Sequence, residues 1–261
     1  MYDVEIPLSG GNVANGIVRI GQTTRRPMGP WSPAVHSLLR HLEEQGFEGA
    51  PRFLGIDEQG REILSFIEGE IGHYPLRDAR WSDKTMVEVA HFVRRYHDAV
   101  SNFVPPRDAQ WKQVFPDSAA HEIICHNDIA PYNLVYLQNQ PYALIDFDEA
   151  GPGPRVWDLA YAAYRFVPLA HAGDADLQRL GLTDPTRQGQ RLRLFCETYG
   201  INAHTVLAMV EPRLQRLHDT IIERAVYSPA FQKMIEEGHL NLYRSELEVL
   251  RHTRPIVERC L

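Results

Sequence analysis

Two short apolar segments on either side of a four-residue turn constrain the fold of this chain more than any other feature. The segments are Leu134–Leu137 and Tyr142–Ile145, and residues 138–141 separate them. This arrangement predicts a β-hairpin. Because every position of both segments is apolar, we expect the rest of the protein to cover both faces of the hairpin. The chain therefore has to build its core around this element.

Polar side chains cluster at the open end of the predicted hairpin. With a four-residue loop, Leu137 faces Tyr142, and Asn133 then faces Asp146 with their Cβ atoms about 4.5–5.5 Å apart. An amide oxygen and a carboxylate are hard ligands, which Mg²⁺ prefers together with phosphates and water. Asp128, five residues before Asn133, is expected over the same place, where it could orient or deprotonate a hydroxyl group.

The joint pattern is more specific than its parts. An Asp-Phe-Asp sequence alone usually marks the end of a strand, and His-x-Asp alone is a weak signal. The combination of His126-x-Asp128-x4-Asn133 with Asp146 across a hairpin is far more specific. Buried carboxylates without a partner or a metal are costly, so three polar groups beside an apolar hairpin indicate a functional site.

The same segment leaves one rival enzyme class open and weakens another. A metal-dependent hydrolase could use His126, Asp128, Asp146 and Asp148 as ligands of a transition metal. Thiol catalysis by Cys125 with His126 is disfavoured, because neighbouring residues on a strand point to opposite faces and cannot form a nucleophile–base pair.

The pattern along the chain changes from strand-rich to helical. Strands are predicted at 17–20 and in a hairpin over 53–67. Between them a helix is predicted to begin near Ser32, with Val35, Leu38, Leu39 and Leu42 on one apolar face. Beyond Glu68–Gly69 the pattern is mostly helical. The chain is 261 residues long, enough for one large domain or two small ones. Helical stretches are predicted at 83–100, 186–199, 203–226 and 229–252, and the two predicted domains are 1–67 and 68–261.

Composition excludes several classes of protein. The net charge is −7, with 27 Lys and Arg against 34 Asp and Glu, which disfavours a non-specific nucleic-acid binder. No apolar run approaches the ~20 residues of a membrane helix, and the N-terminus does not resemble a secretory signal. Three scattered cysteines do not form a disulfide framework. We expect a cytoplasmic monomer or weak dimer that binds neither nucleic acid nor membrane.

The segment from 123 to 160 resembles the aminoglycoside phosphotransferase family, part of the group with a protein-kinase-like fold. The His-x-Asp-x4-Asn pattern is similar to the catalytic loop of that group, and Ile145–Asp148 is similar to its second metal motif. Gly153–Ala160 resembles a closing element of the family, and Leu64–Gly69 resembles its hinge. The resemblance implies a bilobal α+β fold, with a small β-rich N-lobe for nucleotide binding and a larger helical C-lobe for catalysis and substrate binding.

The resemblance also implies roles for the residues of the loop and the metal motif. Asp128 would hold the acceptor hydroxyl and take its proton, and Asn133 and Asp146 would bind Mg²⁺ at the nucleotide phosphates. His126 would brace the catalytic loop, and Asp158 would lock the loop at a helix N-terminus.

Further positions are implied for the nucleotide and the acceptor. Arg25, with Arg26 beside it, is the best candidate for the phosphate-binding cation of the third strand, and only one of them can face the site. Two acids after the metal motif would line the acceptor cleft, three hinge residues would offer backbone groups to adenine, and three turn residues would lie near the phosphates. These sets are Asp148 and Glu149; Ser65, Phe66 and Ile67; and Ser9, Gly10 and Gly11.

The function implied by this resemblance is Mg²⁺-dependent transfer of the γ-phosphoryl group of ATP or GTP to a hydroxyl of a small molecule. The acceptor would be an aminoglycoside or another amino-containing alcohol. The alternative is a nucleotide-binding pseudokinase without transfer. It is favoured by two departures from the pattern: no lysine precedes Lys84, and Val35 or His36 stands where the first helix usually has a glutamate.

Overall fold

The computed structural model describes residues 4–8, 16–171 and 173–261. Within these ranges the protein has ten β-strands and eight α-helices. The strands are β1 (Ile6–Pro7), β2 (Val18–Ile20), β3 (Thr23–Arg26), β4 (Phe53–Ile56), β5 (Glu62–Ser65), β6 (Glu70–Ile71), β7 (Ile123–Cys125), β8 (Leu134–Leu137), β9 (Gln140–Leu144) and β10 (Gly151–Gly153). The helices are α1 (Ser32–Glu44), α2 (Asp83–Ala99), α3 (Arg155–Phe166), α4 (Ala175–Arg179), α5 (Pro185–Tyr199), α6 (Ala203–Ala225), α7 (Pro229–Glu236) and α8 (His239–Glu258).

Contacts divide the protein into two compact units. The first comprises the described residues up to Tyr74 together with 92–155, and the second comprises 75–91 and 156–261. All ten strands of the described residues therefore belong to the first unit, and the regular elements of the second are helical. The predicted division into nucleotide-binding and acceptor-binding domains at Glu68–Gly69 stays a prediction.

An antiparallel sheet with the strand order β1-β2-β3-β5-β4 begins the first unit. Gly21, with a φ of 58°, closes the tight turn between β2 and β3, a backbone conformation that glycine adopts without strain. Helix α1 follows β3 and buries the predicted stripe of Val35, Leu38, Leu39 and Leu42. The strand-rich start with one helix is therefore confirmed.

The central hairpin is present, but its register differs from the predicted one. Leu134 pairs with Leu144, and the turn consists of two residues, Gln138 and Asn139, both with positive φ. Two residues of this kind form the hairpin turn that matches strand twist. The predicted four-residue loop is wrong, and so is the direct pairing of Asn133 with Asp146. The Ile145 N–H donates to the Asn133 carbonyl at 2.9 Å, which leaves Asp146 one residue further along.

The hairpin is buried along most of its length. Residues 134–136, 143 and 144 are at most 2% exposed, whereas Leu137 and Tyr142 at the turn end are 42% exposed. The expectation of coverage on both faces is confirmed near the open end and wrong at the turn. The open end, which carries the polar residues, is thus anchored in the core.

The second unit is built around α5, α6 and α8, which pack on one another. Asp83 at the start of α2 forms ion pairs with Arg187 and Arg191 of α5. The single helix predicted at 229–252 is wrong, because Gly238, with a φ of 85°, separates α7 from α8. None of the helices in the described residues is long and apolar enough to span a lipid bilayer.

Candidate active site

A cavity of about 290 Å³ lies in the first unit, close to the lower limit of ~300 Å³ typical of small-molecule sites. One part of its lining is formed by Ile17, Pro27, Met28 and Trp31. The remainder is charged and combines two cations with four carboxylates: Arg26, Lys112, Asp128, Asp146, Asp148 and Glu149. Five of the predicted site residues thus share one cavity: Arg26, Asp128, Asp146, Asp148 and Glu149.

Asp128 is held by hydrogen bonds to both of its carboxylate oxygens. The Tyr132 hydroxyl donates to Oδ1 at 2.7 Å, and the Asn133 amide nitrogen donates to Oδ2 at 2.8 Å. The same nitrogen also donates to the Asp128 carbonyl at 2.9 Å. Because both bonds require a donor, they fix the orientation of the Asn133 amide. Its oxygen is then the side-chain atom suited to a metal ion.

His126 links this loop to the segment that leads to Asp146. Its Nε2 lies 3.1 Å from the Ile145 carbonyl, and its Nδ1 lies 3.3 Å from the Asp128 N–H. A carbonyl only accepts and an amide N–H only donates, so the ring carries its proton on Nε2. The ring is fully buried and packs edge-on against Phe147 at 4.7 Å. These contacts support the predicted bracing role.

Two residues of the site adopt the left-handed backbone conformation, which is unfavourable for residues other than glycine. Asn127 has a φ of 66°, and Asp146, which lies just after β9, has a φ of 63°. Such conformations persist where the surroundings enforce them, and they concentrate at functional sites. The Asn127 amide donates to the Glu149 carbonyl at 2.9 Å. The Asp146 side chain is 42% exposed and lines the cavity.

Asp146 lines the cavity, and Asn133 is buried next to Asp128 without itself lining the cavity; their side-chain oxygens are ligands that suit a hard divalent cation such as Mg²⁺. The Asn133 amide oxygen and the Asp146 carboxylate would hold it, with the remaining positions for phosphate and water. Burial raises the pKa of Asp148, and the neighbouring charge of Asp146 raises it further, although Arg26 and Lys112 oppose the shift. Four carboxylates against two cations also leave the cavity lining with an excess of negative charge, which a divalent ion would offset.

The hydrolase alternative receives no support from the described residues. Among residues 4–8, 16–171 and 173–261, no group of three or more His, Cys, Asp or Glu side chains has the geometry to bind a metal. Both ring nitrogens of His126 are already engaged, one by the Asp128 N–H and the other by the Ile145 carbonyl. Cys125 is fully buried and lies 3.4 Å from the Pro154 carbonyl, which is the position of a packing residue.

Of the two adjacent arginines, Arg26 faces the cavity. Its guanidinium lies 2.6 Å from Asp148 Oδ1 and 3.3 Å from Asp146 Oδ1. Arg25 lies on the other face of β3, where it contacts Thr23 and Asp57. The expectation that only one of them faces the site holds, but the preference for Arg25 does not, since the outward face of β3 carries it away from the cavity. Arg26 is thus the arginine of the pair that lines the cavity.

A buried chain of contacts anchors Arg26. Its Nε lies 3.0 Å from Glu62 Oε1 on β5, and His36 Nε2 of α1 lies 2.6 Å from Glu62 Oε2. Burial disfavours the charged guanidinium, but the charges of Asp146, Asp148 and Glu62 outweigh this effect, so the pKa of Arg26 is above its ordinary value. Kinase-like sites usually pair the cation of the third strand with a glutamate of the first helix. In this protein the glutamate that pairs with Arg26 is Glu62, which lies on β5.

Sequence reasoning missed two residues of this site. Glu62 faces Arg26 directly across the β3–β5 ladder, and only the strand register reveals this pairing. Lys112 lies between α2 and β7, in a stretch without periodicity that could place it. Its ammonium lies 2.7 Å from Glu149 Oε1.

The other predicted nucleotide contacts are the turn at 9–11 and the hinge at 65–67. Ser9, Gly10 and Gly11 lie outside the described residues. The Ser65 N–H donates to the Arg52 carbonyl and the Phe66 N–H donates to the Gln22 carbonyl, so both amides are engaged within the fold. None of the three predicted hinge residues lines the cavity, and their contact with adenine stays a prediction.

Asp158 lies in the first turn of α3 and is fully buried. A carboxylate is favoured at that end of a helix. Its predicted part in locking the catalytic loop stays a prediction.

Comparison with known proteins places this site in a family. A sequence profile of the phosphotransferase enzyme family matches residues 73–193, which include the whole catalytic loop. A trifolitoxin immunity protein from Rhizobium leguminosarum bv. trifolii is 38% identical over 203 residues, which cover 76% of this chain and 75% of that protein. The chain belongs to the phosphotransferase enzyme family. The resemblance of the segment from 123 to 160 is therefore confirmed.

Solved structures show the same fold for this phosphotransferase-family protein. An amicoumacin kinase in complex with AMP-PNP, Ca²⁺ and Ami aligns with a TM-score of 0.60 at 10% identity, covering 94% of this chain and 87% of that one. An ethanolamine kinase from Plasmodium vivax aligns with a TM-score of 0.56 at 11% identity, covering 88% and 80%. The kinase-like α+β fold, sheet-rich first and helical later, is confirmed.

Proposed function

We propose that this protein transfers the γ-phosphoryl group of ATP or GTP to a hydroxyl group of a small molecule. The observation that carries the proposal is the position of Asp128. Its carboxylate is fixed by Tyr132 and Asn133 and faces the cavity that Asp146 also lines. A carboxylate held in this way suits the orientation of a hydroxyl group and the removal of its proton.

The chemical step balances as a simple displacement. The acceptor oxygen forms a new bond to the γ-phosphorus, and the bond between that phosphorus and the bridging oxygen of the nucleoside diphosphate breaks. The acceptor proton passes to an Asp128 carboxylate oxygen and then to solvent. The products are a phosphate monoester and a nucleoside diphosphate. Because the transition state is loose, positioning and charge neutralisation account for most of the rate.

The residues around Asp128 divide the remaining tasks. Bound Mg²⁺ would supply positive charge at the phosphates, with Asn133 and Asp146 as its protein ligands. Arg26, fixed by Glu62, would hold a phosphate oxygen with its planar N–H groups. Asn127 and His126 would keep the loop in register with the segment after β9.

For the acceptor, we propose a toxic or antibiotic compound with an amino group. Two observations support this class. The relative with 38% identity is named for immunity to trifolitoxin. The carboxylates of Asp148 and Glu149 also line the cavity, where they offer hydrogen-bond acceptors to an amino group. Since the donor is a cytoplasmic nucleotide, we place the reaction in the cytoplasm.

A pseudokinase remains the second candidate, and one observation favours it. The cation nearest to Asp146 is an arginine that already contacts both Asp146 and Asp148. If that contact persisted with nucleotide present, Asp146 would be held by Arg26 rather than by a metal ion, and no transfer would follow.

A coupled assay of ADP release separates the two candidates. The purified protein is given Mg·ATP and, in turn, aminoglycosides, peptide antibiotics, choline and amino sugars. We expect one class to stimulate ADP release, and we expect Asp128→Asn to reduce that release by about 10²–10⁴-fold without loss of nucleotide binding. Nucleotide binding without stimulation by any acceptor would favour the pseudokinase.

A growth assay tests the acceptor class. A toxin-sensitive strain expressing the protein should survive the compound that stimulates ADP release, and the same strain with Asp128→Asn should not. Equal protection by both proteins would contradict phosphoryl transfer as the means of protection.

A further inference from the structure

Lys112 brings a second cation to the cavity from a stretch without regular helix or strand between α2 and β7. Its ammonium lies 2.7 Å from Glu149 Oε1 and 4.7 Å from the centre of the Trp31 ring. Only 18% of the side chain is exposed. An ammonium group at this depth, between a carboxylate and an aromatic face, differs from a solvated surface lysine.

The backbone around Lys112 is fixed by a close approach. A Cβ at Gly151 would lie 1.7 Å from the Gln113 carbonyl oxygen, so only glycine lets β10 pass this close. The Phe115 N–H donates to the Pro152 carbonyl at 2.9 Å, and the Gln113 side chain donates to Glu149 Oε2 at 2.6 Å. The backbone segment that follows Lys112 is therefore held against β10 and Glu149, which fixes the position from which the lysine side chain extends.

The residues that line the cavity indicate what Lys112 would contact. Asp128 marks the position of the acceptor hydroxyl, and Asp146 marks that of the metal-bound phosphates. The group that moves between them carries its charge on three equatorial oxygens. The cavity is small, so cations in its lining lie within reach of that group. Within the described residues, Arg26 and Lys112 are the two cations that line it.

We propose that Lys112 contacts the terminal phosphate of the nucleotide and stabilises it during transfer. The ammonium that kinase-like sites usually take from the third strand is here supplied from the segment before β7, while Arg26 occupies the strand position. This inference rests on the proposed function, and nucleotide binding and turnover are measured separately so that the two can fail independently.

Binding of two nucleotides tests the contact without any turnover. Calorimetry compares a non-hydrolysable ATP analogue with ADP, both with Mg²⁺, on the wild type and on Lys112→Met. We expect the variant to lose about tenfold in affinity for the ATP analogue and to keep its affinity for ADP, because only the former has a terminal phosphate in this position. Equal loss for both nucleotides, or loss for neither, would overturn the proposal.

Matched variants control for an effect on folding. The chain has three lysines, and Lys84 is exposed, so Lys84→Met should leave both affinities unchanged. Lys112→Met leaves the Glu149 carboxylate without its ammonium, and the double variant with Glu149→Gln removes that charge. The double variant should show the same selective loss. Recovery of wild-type affinity for the ATP analogue in the double variant would show that Glu149, not Lys112, causes the effect.

Kinetics provide the second readout. With the acceptor found by the ADP assay, Lys112→Met should lower kcat by about 10²-fold, and Lys112→Arg should recover part of it. A kcat within about twofold of wild type would contradict this inference and leave the proposed function intact. Conversely, selective loss of ATP-analogue binding in a protein that phosphorylates no acceptor would contradict the proposed function and leave the phosphate contact standing.

Discussion

At the residue scale, two adjacent arginines lie on opposite faces of the same strand. Arg25 and Arg26 are adjacent on β3, and strand alternation alone predicts that they face opposite sides. It does not say which side is inward. That information lies in the pairing of Arg26 with the buried Glu62 across the ladder. The choice between the two arginines could not be made from the sequence, because it depends on the register between β3 and β5, which α1 and β4 separate in the chain.

The two arginines form a matched pair for mutation. Arg26→Ala should raise the nucleotide KM by at least about tenfold and lower the free energy of unfolding by about 3 kcal/mol, since it leaves Glu62 buried without its partner. Arg25→Ala should change the KM by less than about twofold. Initial rates with Mg·ATP and urea unfolding provide the measurements. A larger effect on KM from Arg25 would return the phosphate contact to that residue.

In the second unit, His171 is a partly buried titratable residue outside the candidate site, with 14% of its side chain exposed. Burial lowers its pKa to about 3, and the charge of Arg165 adds to the shift. Its Nε2 lies 3.7 Å from Glu246, which is bonded to the Tyr164 hydroxyl. Burial raises the pKa of Glu246, so the pKa values of the two residues shift in opposite directions, both toward the neutral form.

The sign of the effect of His171 on stability follows from its lowered pKa. Between about pH 6.5 and pH 3 the unfolded chain binds a proton at this residue that the folded chain does not, so stability falls as the pH falls. From about pH 6.5 to pH 5 the loss should be about 2 kcal/mol. In His171→Phe this contribution disappears, while that of Glu246 remains. Urea unfolding of both proteins at the two pH values measures the difference, and identical pH dependence would contradict the assignment.

At the scale of elements, β3, β5 and α1 are joined by one polar chain. Arg26, Glu62 and His36 come from these three elements, and the His36 ring also stacks on Phe53 of β4 at 3.7 Å. The spacing of apolar residues predicted α1 and its buried face correctly. The resemblance to the family placed Val35 or His36 where the first helix usually has a glutamate, but it could not show that the glutamate partner comes from a strand.

His36 is therefore expected to act through Glu62 on the position of Arg26. His36→Ala should lower the free energy of unfolding by about 2–4 kcal/mol, because it removes a buried hydrogen bond and a packed ring. It should also raise the nucleotide KM, and His36→Gln, which keeps a donor, should recover part of that increase. His91→Ala, at an exposed histidine of α2, is the control. Loss of stability without any change in KM would limit His36 to a packing role.

The strands of the central hairpin could be predicted from the sequence pattern, but their register could not. The apolar segments predicted its strands, and the polar residues predicted its functional end. The register failed because Gln138 and Asn139 both adopt positive φ and form a shorter turn. Asparagine tolerates this conformation, but glutamine does so rarely, so the residue types gave no signal for it. A bulge between Val135 and Tyr136 shifts the pairing further.

At the scale of the whole molecule, ligand binding should be visible as a change in stability. A ligand that binds only the folded state raises its stability by RT ln(1 + [L]/Kd), about 2.7 kcal/mol at a concentration of about 100 times Kd. Mg·ATP should therefore raise the Tm, and Asp146→Asn should reduce that increase strongly while keeping a residue that tolerates the left-handed backbone. Differential scanning fluorimetry with and without EDTA measures it. An unchanged increase in the variant would contradict the metal role of Asp146.

The left-handed backbone at Asp146 and Asn127 has a consequence for how such a chain can change over generations. Glycine at either position would relieve conformational strain on the order of 1 kcal/mol. A laboratory selection for heat resistance alone would therefore favour glycine at 146, and with it the loss of the carboxylate that we propose as a metal ligand. Retention of aspartate at 146 then requires selection for the chemistry itself. The residue found at this position therefore indicates whether a descendant of this chain is still selected for activity.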